Sequence, residues 1–129
     1  MKKLAERIIA KTFIASRQKR KERNMDEQKY YFITVFEKTD LNDSGWIDTG
    51  CQRTWGFYTD KDIAFQCVHE NWTDLEETIY RYALIEEYTE GIGHWTGYRQ
   101  WFRFDLEKKG YVEIDEPEGY NNFSCFAIG

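Results

Sequence analysis

From residue 25 onward, short runs of β-branched and aromatic residues alternate with polar, glycine-containing breaks. Residues 30–36, Tyr-Tyr-Phe-Ile-Thr-Val-Phe, predict a strand. Residues 39–50 concentrate Asp, Asn, Ser and Gly and predict a loop. Residues 54–58 predict a second strand, which the loop would join to the first as a hairpin. Thr59-x-x-Asp62 resembles a capping box opening a helix. In that helix Ala64, Cys67, Val68 and Asn71 share a face flanked by Ile63 and Trp72, and the pattern runs out near Trp72.

The next stretch is ambiguous. Thr73-x-x-Glu76 would cap a further helical turn to about Glu77, and residues 78–88 then read as a strand. Residues 90–97 form a glycine-rich loop and residues 98–105 a strand. Lys108-Lys109-Gly110 is a tight turn, residues 111–115 are the returning strand, and residues 117–122 are a loop. Residues 123–128 predict a short last strand. The order strand, strand, helix, strand, strand, strand predicts an α+β fold: an antiparallel sheet of about five strands with one main helix on a face.

An N-terminal amphipathic helix precedes this domain in the prediction. On a helical wheel of residues 2–18, Leu4, Ala5, Ile8, Ile9, Thr12, Phe13, Ala15 and Ser16 fall within one half. Lys3, Glu6, Arg7, Lys11, Arg17 and Gln18 fall on the other, while Lys2, Ala10 and Ile14 break the pattern. A basic run follows, with Lys19, Arg20, Lys21 and Arg23 as candidate contacts.

Charge sharpens this division. The net charge of −5 is an average over two unlike parts. Residues 1–24 carry nine Lys/Arg against Glu6 and Glu22, a balance of +7; residues 25–129 carry nine against 21 Asp/Glu, a balance of −12. The chain therefore divides into a basic helical arm, 1–24, and an acidic aromatic-rich domain, 25–129. Three readings of the arm stand side by side: a contact to nucleic acid or an anionic membrane surface, a helix packed on the domain or on a second copy, and an extension upstream of a start at Met25. Lys11 interrupts the apolar run, which argues against a cleaved signal peptide.

With 41% hydrophobic and 18% aromatic residues, the chain has enough apolar bulk for a core. No run approaches the ~18 apolar residues of a membrane span. Cys51, Cys67 and Cys125, odd in number and widely spaced, do not form a disulfide framework and point to a reducing cytoplasm.

One loop has the spacing of a cation site. Asp40, Asn42, Ser44 and Asp48 stand at the first, third, fifth and ninth positions of an EF-hand-like loop, with Gly45 at the sixth and Ile47 at the eighth. Cys51 occupies the twelfth position, where a bidentate Glu is needed, and the loop follows a strand rather than a helix. With the Trp46 carbonyl the loop offers about five oxygens, against the ~6–8 that calcium takes. An Asx-rich hairpin loop is the plainer reading, and the expected cofactor is none, with calcium the weak alternative.

No catalytic motif stands out. Cys67 and His69 point to different faces of the helix, and no metal-ligand spacing links them to His94. Glu86, Glu87 and Glu90 form one acidic cluster and Glu113, Asp115, Glu116 and Glu118 a second. Arg99, Trp101 and Arg103 alternate on one strand face against Tyr98, Phe102 and Phe104, a pattern that suits cross-strand cation–π packing.

Residues 30–36, Gly56-Phe57-Tyr58, Tyr82-Ala-Leu-Ile-Glu86, Trp101-Phe102 and Phe126-Ala-Ile-Gly129 together resemble small acidic proteins of gut Clostridia and their mobile elements. The resemblance covers about residues 28–129. It carries no activity and no catalytic residues, and implies a phage, plasmid or conjugative setting. By analogy, small acidic proteins of that setting include inhibitors of host defence such as anti-CRISPR proteins.

The expectation is a cytoplasmic, non-enzymatic interaction protein. Its acidic residues, Glu86, Glu87, Glu90, Glu113, Asp115, Glu116 and Glu118, would bind a basic protein partner, because dense carboxylates stand in for phosphates and steer association. The alternatives are a small-ligand or calcium-binding domain using the loop at residues 40–48, and a nucleic-acid binder using the arm.

Overall fold

The computed structural model describes residues 27–120. The amphipathic arm expected over 1–24 and the last strand expected over 123–128 lie outside them, as does Cys125. The strands are β1 (Tyr30–Phe36), β2 (Asp40–Leu41), β3 (Ile47–Asp48), β4 (Gln52–Tyr58), β5 (Tyr82–Tyr88), β6 (Trp95–Asp105) and β7 (Gly110–Ile114). One α-helix, α1 (Lys61–His69), lies between β4 and β5. Five strands form an antiparallel sheet in the order β4-β1-β5-β6-β7, and β2 and β3 form a separate ribbon. The α+β prediction holds: an antiparallel sheet with one helix on a face. No helix among the described residues is long and apolar enough to cross a membrane.

β1 shows why its sequence is so evenly apolar. Tyr31, Ile33 and Val35 face α1 and meet its buried Ala64, Cys67 and Val68. Phe36 faces the opposite side, with Leu84, Trp101 and Tyr120. A strand covered on both faces has no polar side to show. Each fully buried Val, Leu or Phe contributes roughly 1.5–3 kcal/mol. Exposed ion pairs such as Arg53–Glu77 contribute about 1 kcal/mol or less, so the two clusters hold the fold.

Several boundaries differ from the sequence pattern. The cap of α1 is Asp60, not Thr59: the Asp60 side chain accepts from the N–H groups of Asp62 and Ile63 at 2.8 and 3.3 Å. A carboxylate at a helix N-terminus also opposes the positive end of the dipole, which favours it over the neighbouring hydroxyl. The helix stops at His69, short of Trp72, because Asn71 turns left-handed at φ 54°, ψ 49°. Asparagine tolerates that conformation better than most residues.

The expected helical turn capped by Thr73 is absent. A three-residue 3₁₀ turn, Trp72–Asp74, stands there instead, and Thr73, Asp74, Glu77 and Thr78 all have positive φ. The chain coils too tightly to be extended at residue 78, so β5 starts only at Tyr82. The Asn71 carboxamide oxygen accepts from the Glu76 N–H at 3.0 Å, and Arg81 pairs with Glu76. β6 starts at Trp95, before the predicted residue 98, because Trp95 pairs with Tyr88 across the hairpin. β7 starts at Gly110, where any side chain would collide with the His69 carbonyl oxygen. That glycine lets the end of α1 rest on the sheet.

Candidate functional site

The first acidic cluster does not stay together. Glu86 and Glu87 are neighbours on β5 and therefore point to opposite faces. Glu86 is fully buried on the face away from α1, so it does not belong to an exposed acidic surface. Cross-strand register explains its place, because Glu86 sits opposite Arg99 of β6. The Tyr88 hydroxyl donates to the Glu86 carboxylate at 3.3 Å, and the Arg99 guanidinium lies 4.0 Å from it.

Arg99 is the hub of this network. Its Nε donates to Glu116 at 2.8 Å and its Nη2 to the Tyr120 carbonyl at 2.7 Å. Trp101 Nε1 also donates to Glu116, at 3.2 Å. The Arg99 guanidinium lies over the Trp95 ring, 4.7 Å from its centroid. The expected cation–π packing thus exists, but along one strand rather than across two. By holding Glu116 and the Tyr120 carbonyl, Arg99 fastens the segment after β7 over the sheet.

Glu87 lies on the α1 side. Burial raises its pKa, but donation from the Thr96 and Tyr31 hydroxyls outweighs it and holds the carboxyl below the usual carboxylate range. Tyr31 is in turn pushed up to about 12, by burial and then by its bond to Glu87. Glu90 is exposed in the β5–β6 loop.

Three acids of the second cluster meet at one cleft, which Glu118 does not line. Glu113, Asp115 and Glu118 are exposed and Glu116 is half-buried. Glu113, Asp115 and Glu116 border a cleft of about 250 Å³ whose other walls include Tyr98, Gln100 and Trp101. The cleft exists because β6 runs on beyond the last β6–β7 pair, Trp101 with Ile114.

The loop at residues 40–48 is built as a tight hairpin. Asp40 pairs with Asp48 across the ribbon, and the Lys38 ammonium lies 4.0 and 3.0 Å from their carboxylates. The Asn42 side-chain oxygen accepts from the Ser44 and Trp46 N–H groups, and the Trp46 carbonyl accepts from the Asn42 N–H. The Gly50 N–H and then the Lys38 ammonium lower the Asp48 pKa, and Asp48 raises that of Lys38. Most of the oxygens read as cation ligands are thus engaged in turn bonds or face an ammonium group, while Ser44 is exposed.

The remaining candidates stand apart. Cys51 is exposed and Cys67 buried, with burial pushing the Cys67 thiol up. His69 Nδ1 is 3.0 Å from the Tyr111 carbonyl, and His94 is exposed in the β5–β6 loop. Among the described residues, no three His, Cys, Asp or Glu side chains gather as a metal-holding group. Lys19, Arg20, Lys21 and Arg23 lie outside the described residues. Comparison with protein families, with curated proteins and with solved structures finds no match.

Sequence reading missed the roles of Tyr88, Trp95 and Arg99. The partners lie two to twenty-one residues apart, and only the β5–β6 register brings Glu86 and Arg99 face to face. Arg99 in an aromatic strand was the one local signal, and it pointed to stacking rather than to a buried carboxylate.

Proposed function

We propose that the domain is a non-enzymatic interaction module that binds a basic protein partner through exposed carboxylates. The observation that carries this reading is the grouping of Glu113, Asp115 and Glu116 around one cleft, with exposed Glu118 just beyond, in a domain of charge −12. Carboxylates spaced along one edge attract a surface that has evolved to hold phosphates, so the partner class is a nucleic-acid-binding protein. An inhibitor of a host-defence nuclease, in a mobile-element setting, is the biological role that fits this chemistry.

Glu90 and the partly shielded Glu87 extend the negative field, whereas Glu86 acts inside the fold. The test is a pulldown followed by a DNA-binding or nuclease assay on the captured protein. The full chain should compete with nucleic acid for that protein. A Glu113→Gln/Asp115→Asn/Glu118→Gln variant should compete at least ten-fold less well at low salt. Equal competition by the variant would defeat the electrostatic reading.

A further inference from the structure

A cavity of about 250 Å³ lies beside α1 at the β4 edge of the sheet, the edge opposite the acidic cleft. Ile33 of β1, Trp55 and Tyr58 of β4, Cys67 of α1, and Thr73 and Leu75 of the coil before β5 line it. None of its lining residues is Asp, Glu, Lys, Arg or His, although 32% of the chain is charged. A charged ligand would find no counterion in that wall, and burying an unpaired charge is costly.

The backbone opens this space on one side and borders it under strain on the other. β1 pairs Ile33 with Gly56 and Thr34 with Thr54, so Trp55 is the extra residue of a β-bulge. Bulges re-aim side chains next to binding sites. Gly56, at φ 154°, also lines the cavity, and a Cβ there would meet nothing within 4 Å. A glycine inside a strand leaves room for close approach. On the other wall, Thr73 is held at φ 55°, ψ 21° and its neighbour Asp74 at φ 59°. Left-handed backbone at a β-branched residue is strained, and strain of this kind gathers at ligand clamps.

We propose that this cavity binds a neutral, flat, bicyclic aromatic molecule the size of indole. Volume sets the size: a cavity of about 150 Å³ holds benzene, so about 250 Å³ suits roughly ten ring atoms. The walls set the chemistry. Trp55 and Tyr58 offer ring surface, and Ile33 and Leu75 offer aliphatic contact. The Thr73 hydroxyl donates to the Trp72 carbonyl at 2.6 Å, and its oxygen keeps lone pairs for one N–H or O–H of the ligand. The site is separate from the acidic edge and does not depend on it.

The test titrates the full chain, carrying isotope-labelled Ile and Leu methyl groups, with indole, naphthol and the charged analogue indoleacetate. We expect indole and naphthol to shift the Ile33 and Leu75 methyl signals saturably, with nuclear Overhauser contacts from the ligand ring to those methyls. Indoleacetate should bind roughly ten-fold more weakly, because its carboxylate has no partner in the wall. Cys67→Met, whose longer side chain takes up part of the space, should weaken indole binding about ten-fold. The contacts are read in the unaltered chain, so they decide even where Cys67→Met fails to fold. No saturable shift at Ile33 and Leu75 with either neutral ligand would overturn the proposal. So would contacts confined to exposed side chains such as Trp46 and Ile92, equal binding of the charged analogue, or unchanged affinity in a folded Cys67→Met chain.

Discussion

At the scale of single residues, the most consequential side chain is Arg99. It is almost fully buried, bonds Glu116 and the Tyr120 carbonyl, and faces buried Glu86. Removing one partner of a buried charge network leaves the others in a poorly hydrated site, at a cost of about 3–5 kcal/mol. Arg99→Leu should therefore lower the denaturant midpoint strongly, and an unchanged midpoint would show that the network is not structural. A second prediction concerns alkaline pH. The Tyr31 hydroxyl titrates near its ordinary 10.0 when unfolded and is pushed up to about 12 when folded. The folded state thus holds the proton more tightly, so its stabilisation is complete below about pH 10 and is lost as pH rises toward 12. Stability should fall across that window, and Tyr31→Phe should make the fall shallower. An identical pH profile for the variant would contradict the assignment. On the acid side, the lowered Glu87 carboxyl works the other way: its contribution is present above the ordinary value of 4.5 and disappears as pH falls through its folded pKa.

At the scale of elements, legibility depended on whether the signal was local. β1 and the turn into β7 were readable because β-branched alternation and a Lys-Lys-Gly break act within a few residues. The end of α1 was not. Helical spacing continues through Asn71 and Trp72, but a left-handed Asn71 and four more positive-φ residues before β5 override it. Gly110 read only as a turn residue, yet it also provides the space in which the His69 carbonyl oxygen approaches the sheet. Gly110→Ala should force α1 and β7 apart and cost about 1–3 kcal/mol, measured by chemical denaturation. A variant as stable as the parent would mean that the contact yields freely. The ribbon loop makes a prediction of its own. Lys38 stands between Asp40 and Asp48, and the Asn42 oxygen is already an acceptor, so calorimetric titration with calcium should give no binding heat at millimolar metal. A saturable isotherm would show that the loop can exchange its internal bonds for a cation.

At the scale of the whole molecule, charge and topology answer different questions. The acidic balance was legible from composition, but not which carboxylates would be available. Strand alternation moves Glu86 inside, partly shields Glu87 and leaves Glu113, Asp115 and Glu118 outside. An interaction that rests on such exposed charges is screened over about 10 Å at 0.1 M salt, so it should weaken steeply as salt rises. The most direct measurement is the affinity of the captured basic partner for the full chain and for the Glu113→Gln/Asp115→Asn/Glu118→Gln variant, each followed from low to high salt. The full chain should bind tightly at low salt and lose affinity with added salt, and the variant should bind weakly with a flatter salt response. Equal affinity and equal salt dependence for the two proteins would contradict an acidic docking surface at this edge of the sheet.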